Sequence, residues 1–230
     1  MRAEIKALLF DKDGTLFDFH ATWGAWAATF FLDVAGGDAL RAGEISARLG
    51  YDYKNRRFSR DSVIIAGTPD EITALMEGAV PGWDAHEIKA HVNKVAAEVV
   101  PVAPVPLRPL LAGFRARGLK LGVATNDAIT PTLAHLGRAG IDDMFDFIAG
   151  SDSGYGAKPE TGMQRAFCNS VVIAPENCVM VGDSAHDLIA GRAAGMQTVA
   201  VLTGLAGADA LRALADVVLA DIGALPGWIG

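Results

Sequence analysis

Cysteine is scarce in this chain of 230 residues. Its two cysteines, Cys168 and Cys178, do not have the CxxC spacing that is typical of redox pairs and zinc sites. The spacing therefore argues against a metal or redox role, and we interpret both residues as buried, reduced side chains with a structural role.

Positive charge is also in short supply. The chain has 20 Lys and Arg residues against 27 Asp and Glu residues, which gives a formal net charge of −7. A protein that binds mainly to nucleic acid needs a cationic surface to neutralise phosphates, so we expect no nucleic-acid partner. A small anionic ligand held at a local positive site remains compatible with this balance.

Long apolar runs are missing as well. No segment reaches the roughly 20 apolar residues that span a bilayer, and residues 1–6 lead into a strand-like run without the apolar region of a signal peptide. We therefore expect a cytoplasmic protein with no membrane partner. The hydrophobic content of 51% is ample for the core of one ordinary domain with a smaller insertion.

Strand-like and helical patterns alternate from about residue 105 onward. This alternation predicts an α/β fold, a doubly wound parallel sheet with helices on both faces. The predicted strands are 119–125, 147–149, 178–181, 198–202 and 217–219, and the predicted helices are 107–117, 130–138, 159–168 and 184–194.

Residues 17–104 show helical periodicity without convincing strands. Helix candidates lie at 21–34, 39–49, 69–76 and 84–99. Four prolines between 101 and 109 discourage helix continuation and stiffen the return to the α/β part. We therefore predict a core formed by residues 1–16 and 105–230, and a smaller all-helical domain formed by residues 17–104.

Two carboxylates, Asp11 and Asp13, directly follow the apolar run at residues 7–10. Side chains alternate in an extended segment, so both carboxylates can point to the same side, and Gly14 permits a sharp turn after them. Such a pair attracts a divalent cation that prefers oxygen ligands, such as Mg²⁺. A plain surface turn is the alternative interpretation, because Asp and Gly are common turn residues.

Three further polar clusters follow predicted strands or interrupt glycine-rich loops. Thr125 and Asn126 follow one strand, Lys158 lies in the loop 154–159, and Asp183 and Asp187 follow another strand. The carboxyl ends of parallel strands share one edge of an open α/β sheet. We therefore expect these side chains to converge with Asp11 and Asp13 in one crevice.

In this order the clusters resemble the four motifs of the haloacid dehalogenase superfamily of phosphotransferases, and the match spans most of the chain. The motif residues are Asp11, Asp13 and Thr15, then Thr125, then Lys158, and finally Asp183 and Asp187. The resemblance implies a Rossmann-like core, and the position of residues 17–104 between the first two motifs is similar to the helical cap of one subclass.

The resemblance also implies a role for each motif residue. Asp11 would attack phosphorus to give an aspartyl phosphate, and Asp13 would act as general acid and base. Thr125 and Asn126 would bind the phosphoryl group, and Lys158 would neutralise it together with Asp11. A Tyr at position 13 would instead indicate a dehalogenase.

The expected cofactor is Mg²⁺. By resemblance its ligands would be Asp11, the backbone carbonyl of Asp13, Asp183 and, directly or through ordered water, Asp187. A helix N-cap is an alternative role for Asp183 that is compatible with metal binding.

The helical segment offers weaker candidates. Arg56, Arg57 and Arg60 form a basic cluster that could meet a substrate carboxylate or could simply be solvated. We assign no catalytic role to His20 or His186.

The expected function is that of a Mg²⁺-dependent phosphatase for a small phosphorylated metabolite, with phosphoglycolate as the first candidate. A sugar phosphomutase is the main enzymatic alternative, and pyrophosphate or a nucleotide is a further possible substrate. A phospho-accepting signalling module also combines Asp, Lys, Thr and a metal, but it would not need about 85 additional residues. The oligomeric state is not predicted.

Overall fold

The structure is a computed structural model that describes residues 3–60 and 62–230. Within these residues, six strands form one parallel sheet in the order β5-β4-β1-β6-β7-β8, and β2 and β3 form a separate antiparallel pair. The strands are β1 (Ala7–Phe10), β2 (Tyr51–Asp52), β3 (Arg57–Phe58), β4 (Lys120–Ala124), β5 (Phe147–Ala149), β6 (Cys178–Gly182), β7 (Gln197–Val201) and β8 (Val217–Leu219).

Helices connect the parallel strands and cover the sheet. In chain order they are α1 (Phe19–Val34), α2 (Ala39–Arg48), α3 (Val63–Ala66), α4 (Pro69–Met76), α5 (Ala85–Glu98), α6 (Leu107–Ala116), α7 (Ile129–Arg138), α8 (Gly162–Val171), α9 (Ala185–Ala193), α10 (Ala208–Leu211) and α11 (Leu225–Ile229). Short 3-10 turns occupy Asp142–Met144, Pro175–Asn177 and Ile222–Ala224.

The central strand β1 is apolar on both sides. Leu8 and Phe10 belong to one apolar cluster, whereas Ala7 and Leu9 belong to another. All four side chains are fully buried, as expected for a parallel strand covered by helices on both faces. This confirms the predicted doubly wound α/β sheet.

One predicted helix begins later than the sequence pattern indicated. The helix expected from residue 159 begins at Gly162, because residues 157–160 form a turn in which Glu160 N–H donates to the Ala157 carbonyl. The loop that carries Lys158 is therefore longer than predicted.

Residues 17–104 contain α1 to α5 and supply nearly all of one apolar cluster, which Leu205 from the rest of the chain joins. Phe31, Ile45 and Ile88 are among its most buried members. The segment is helical as predicted, with the addition of β2 and β3. These two strands form because Asp52 accepts hydrogen bonds from Asn55 in the connecting turn and because Tyr51 and Phe58 pack together, with ring centroids 4.7 Å apart.

Cys168 and Cys178 are both buried and free, with their Sγ atoms 3.7 Å apart. They pack among apolar side chains, in keeping with the structural role predicted for them. None of the helices in the described part of the chain combines the length and the apolar character needed to cross a membrane.

Candidate active site

The register of the sheet brings the first, second and fourth polar clusters together. Phe10 is paired with Val123 on one side and with Val181 on the other. The residues that follow these strands therefore lie at the same edge of the sheet. This arrangement places Asp11 between Thr125 and Asp183 in the strand order; the sequence predicted that these residues converge but not their order.

Lys158 joins these clusters through its ammonium group. Its Nζ donates to Asp11 Oδ1 at 2.5 Å, to Asp187 Oδ1 at 2.6 Å and to the Ala124 carbonyl at 2.8 Å. Burial opposes the charged form, but the two carboxylates outweigh it and raise the pKa of Lys158. Lys158 is therefore a fixed cation that contacts the predicted nucleophile.

Asn126 holds the backbone of Lys158 from both sides. Its Oδ1 accepts from Lys158 N–H at 2.8 Å, and its Nδ2 donates to the Lys158 carbonyl at 2.8 Å and to the Ala66 carbonyl at 2.7 Å. The side chain thus orients Lys158 and ties it to α3 in the helical segment. This positioning role was not part of the prediction for Asn126.

Three buried carboxylates form a candidate metal site. Single oxygens of Asp11, Asp183 and Asp187 all lie within 4.8 Å of one another. Asp13 is not part of this group, since its side chain points to other partners. Three of the four residues predicted as metal ligands are therefore brought together through their side chains.

The chemistry of this site fits a divalent cation. Asp183 Oδ2 is buried and, among the described residues, has no hydrogen-bond partner. Burial, then the charges of Asp11 and Asp187, raise the pKa of Asp183 well above its usual range. Burial also raises the pKa of Asp11. The charge of Lys158 lowers this pKa and the charge of Asp187 raises it, and the net result is a pKa of about 7. A hard cation would supply the missing positive charge through oxygen ligands.

Two glycines make room for Asp183. Gly14 has a φ of +84°, and a side chain at Gly14 or at Gly204 would collide with the Asp183 carboxylate. Thr15 Oγ1 donates to Asp183 Oδ1 at 3.4 Å. The turn after β1 therefore supports the acidic group as well as carrying Asp11.

Asp187 is held by the start of α9. Its Oδ2 accepts from Ser184 N–H at 3.0 Å and from Ser184 Oγ at 2.7 Å, as part of a capping box. The N-cap of α9 is thus Ser184, so the alternative role considered for Asp183 does not apply. Asp187 connects this fixed helix end to Lys158.

Asp13 belongs to a second buried cluster. Its Oδ1 accepts from Trp23 Nε1 at 2.9 Å, and its Oδ2 forms an ion pair with Lys12. Lys12 Nζ also lies 3.1 Å from Asp127 Oδ2 and 3.1 Å from His135 Nδ1. Burial opposes ionisation of Asp13, but Lys12 outweighs it and holds the pKa of that carboxyl below its usual range.

The contacts of His135 define its protonation state. An ammonium group can only donate, so Nδ1 must accept from Lys12, while Nε2 donates to the Ala96 carbonyl at 2.9 Å. Burial and then the charge of Lys12 lower the pKa of His135 to about 4. A neutral imidazole therefore joins α7 to α5 at this cluster.

Sequence reasoning assigned no role to Lys12, Trp23, Asp127 or His135. A lysine between two aspartates at the end of an apolar strand was a usable signal, because such a side chain alternates to the buried side opposite Asp11. The other three residues lie on separate elements, and no local pattern indicates that they meet.

Thr125 is buried, and its Oγ1 accepts from Asp127 N–H at 3.1 Å. It lines a small polar cavity together with Asp11, Asp13, Asn126 and Lys158. A larger opening of about 340 Å³ adjoins Lys158 and Asp183. The cavity places the Thr125 hydroxyl and the Lys158 ammonium group beside Asp11, the predicted nucleophile.

The weaker candidates lie around this opening or away from it. Arg60 and His186 line the larger opening, and both are exposed. His20 is exposed and contacts Phe19, and Arg56 and Arg57 are exposed near the turn between β2 and β3. Of the three arginines in the basic cluster, Arg60 alone lines that opening.

The geometry has the motifs of one family, and comparison with known sequences confirms the membership. The profile of the haloacid dehalogenase-like hydrolases matches residues 5–195. The chain belongs to this family and is a hydrolase.

Curated relatives extend the match over most of the chain. A phosphoglycolate phosphatase of Nitrosospira multiformis is 32% identical over 83% of this chain and 80% of its own length. A plasmid-encoded phosphoglycolate phosphatase of Cupriavidus necator is 30% identical over 96% of this chain and 91% of its own. A crystal structure of a haloacid dehalogenase phosphatase from Thermococcus onnurineus has the same fold, with a TM-score of 0.70, 24% identity and 98% coverage of both chains.

Proposed function

We propose that this hydrolase is a phosphatase that cleaves phosphomonoesters of small metabolites with Asp11 as nucleophile. The observation that carries the proposal is the contact of Lys158 Nζ with Asp11 Oδ1 at 2.5 Å, beside the buried hydroxyl of Thr125. The names of the curated relatives support the same class of reaction.

In the first step an Asp11 oxygen attacks phosphorus and the ester oxygen leaves, which gives an aspartyl phosphate and an alcohol. Lys158 keeps Asp11 oriented and balances charge on the transferred group, while Thr125 Oγ1 donates to a phosphoryl oxygen. Asn126 contributes by holding Lys158 in place.

Asp13 acts as general acid and then as general base. Lys12 favours its carboxylate form, which suits removal of a proton from the water that hydrolyses the aspartyl phosphate. For the first step Asp13 must carry a proton, and the negative charge of an arriving phosphate raises its pKa in that direction.

Mg²⁺ is the proposed cofactor, held by Asp11 and Asp183, with Asp187 and the Asp13 carbonyl completing the protein ligands. When bound, it would supply positive charge to the phosphoryl oxygens. The proposal rests on the unpartnered Asp183 Oδ2 and on the three converging carboxylates.

Residues 17–104 are proposed to act as a cap on a core of residues 1–16 and 105–230. Support comes from the apolar cluster that this segment forms almost entirely by itself and from the hydrogen bond between Asn126 and Ala66 beside the site. Action without nucleic-acid or membrane partners, and a cytoplasmic location, stay predictions from the sequence.

Phosphoglycolate remains the first named candidate, because the relatives carry that name. The test measures phosphate and alcohol released from phosphoglycolate, sugar phosphates, nucleotides, pyrophosphate and simple alkyl and benzyl phosphates, with Mg²⁺ and with chelator. We expect turnover with Mg²⁺ that falls at least about 1,000-fold in Asp11→Asn.

The exposed Asp142→Asn is the matched control and should keep full activity, since Asp142 lies outside the site. Interconversion of sugar phosphates without phosphate release would favour a mutase. A single stoichiometric phosphorylation without turnover would favour a signalling module. Full turnover in Asp11→Asn would refute the proposal.

A further inference from the structure

We infer that the leaving group of the substrate is an alcohol with an apolar carbon skeleton, and that this skeleton is held in a cavity between Asp13 and the helical segment. The inference rests on the function proposed above and narrows its substrate class. It predicts a preference for phosphomonoesters of apolar alcohols over those that carry a carboxylate.

The cavity is small, with a volume of about 60 Å³. Asp13 and Asp127 form its floor, and its walls come from the helical segment. Trp26, Phe30, Ile72 and Val92 are among the apolar side chains that line it. The one polar atom of the Trp23 side chain is engaged with Asp13, so the indole presents its ring to the cavity.

The charges around the cavity disfavour an anionic leaving group. Within residues 3–60 and 62–230, the cavity lining contains two carboxylates and no Lys, Arg or His. Lys12 lies beneath the floor, but Asp13 and Asp127 already pair with it. A carboxylate placed here would be desolvated without a cationic partner, whereas an apolar group would gain from burial.

The position of Asp13 selects this cavity over the larger opening beside Arg60. Asp13 must lie within hydrogen-bond reach of the leaving oxygen if it is to protonate it. Asp13 lines both the small polar cavity that holds the phosphoryl site and the apolar cavity. The opening that contains Arg60 is not lined by Asp13.

The test compares benzyl phosphate with 4-carboxybenzyl phosphate, because both substrates have leaving alcohols of similar reactivity and differ by one carboxylate. Phosphoglycolate serves as a third substrate. We expect kcat/KM with Mg²⁺ to be at least about 10-fold higher for benzyl phosphate than for either carboxylated compound.

Two variants on α4 test whether the preference for benzyl phosphate arises from the cavity. Ile72→Arg places a cation in the lining and should narrow or reverse the ratio between the two benzyl compounds. Leu75→Arg places the same cation on the same helix outside the lining, at a residue that is 40% exposed, and should leave the ratio unchanged.

The outcomes separate the inference from the proposed function. Hydrolysis of several phosphomonoesters with no preference for benzyl phosphate, or with phosphoglycolate preferred, overturns the inference and leaves the phosphatase intact. Absence of hydrolysis for every compound in correctly folded protein overturns both. The wild-type ratio decides the matter even if Ile72→Arg fails to fold.

Discussion

Two buried lysines lie beside the end of β1, and each contacts two aspartates. Lys158 contacts Asp11 and Asp187, with Asp183 close by. Lys12 forms ion pairs with Asp13 and Asp127 and donates a hydrogen bond to His135 Nδ1. The two clusters therefore have similar components but differ in how completely their polar atoms are paired.

The Lys158 cluster is short of positive charge, since three carboxylates share one lysine and Asp183 Oδ2 has no partner among the described residues. In the Lys12 cluster each carboxylate oxygen and each imidazole nitrogen has a hydrogen-bond or ion-pair partner, although Asp127 Oδ2 has only its ion pair with Lys12. The first cluster is the one proposed to bind a cation and a phosphoryl group, and the second holds the Asp13 carboxylate through Lys12 and Trp23.

The largest expected effect is the loss of activity when Lys158 is replaced. Lys158→Met should lower kcat/KM for phosphomonoesters at least about 1,000-fold, because the cation that contacts Asp11 is lost. Steady-state kinetics on protein with an unchanged circular dichroism spectrum tests this. Activity within 10-fold of wild type would show that Lys158 has no electrostatic role in the reaction.

Removing Lys12 should lower the stability of the folded protein. Lys12→Met leaves the largely buried carboxylates of Asp13 and Asp127 without a cation, and we expect the free energy of unfolding to fall by about 3 to 5 kcal/mol. Urea denaturation at pH 7 measures this loss. The control is Lys89→Met, which breaks the exposed ion pair with Asp70 and should cost no more than about 1 kcal/mol.

If Lys12→Met and Lys89→Met cost similarly little stability, Lys12 is not needed to balance the charges of Asp13 and Asp127. The double variant Lys12→Met with Asp127→Asn sharpens the test. It removes one of the two carboxylates that Lys12→Met leaves without a cation, and it should recover part of the lost stability.

The smallest expected effect is a pH dependence that arises from His135. Its pKa is lowered from 6.5 to about 4, so between these values the unfolded chain binds a proton that the folded chain does not. Stability is therefore lost as the pH falls from 6.5 to 4, by about 2 to 3 kcal/mol from this residue.

The comparison with His135→Gln isolates this contribution. A glutamine can accept from Lys12 and donate to the Ala96 carbonyl, but it does not titrate. The difference in unfolding free energy between wild type and variant should shift against wild type as the pH is lowered. A difference that stays constant from pH 7 to pH 4 would show that His135 is not held in the neutral form.

The strands of the sheet were predictable because each is a short apolar run followed by turn or polar residues. The predicted strand 147–149 and the predicted helix 69–76 have the same bounds in the structure. The pair formed by β2 and β3 was missed, since two-residue strands leave no periodic pattern. The convergence of Asp11, Thr125, Lys158 and Asp183 followed from motif order and parallel topology.

The amino-acid sequence by itself determined the α/β order of elements, the motif residues and the family, because these depend on local patterns and on residue types at fixed spacing. Tertiary structure alone decided that Asn126 holds the Lys158 backbone, that Lys12 meets Asp127 and His135, and that Trp26 and Ile72 line a cavity beside Asp13. These contacts join elements far apart in the chain, and their geometry depends on how the helical segment packs against the end of the sheet.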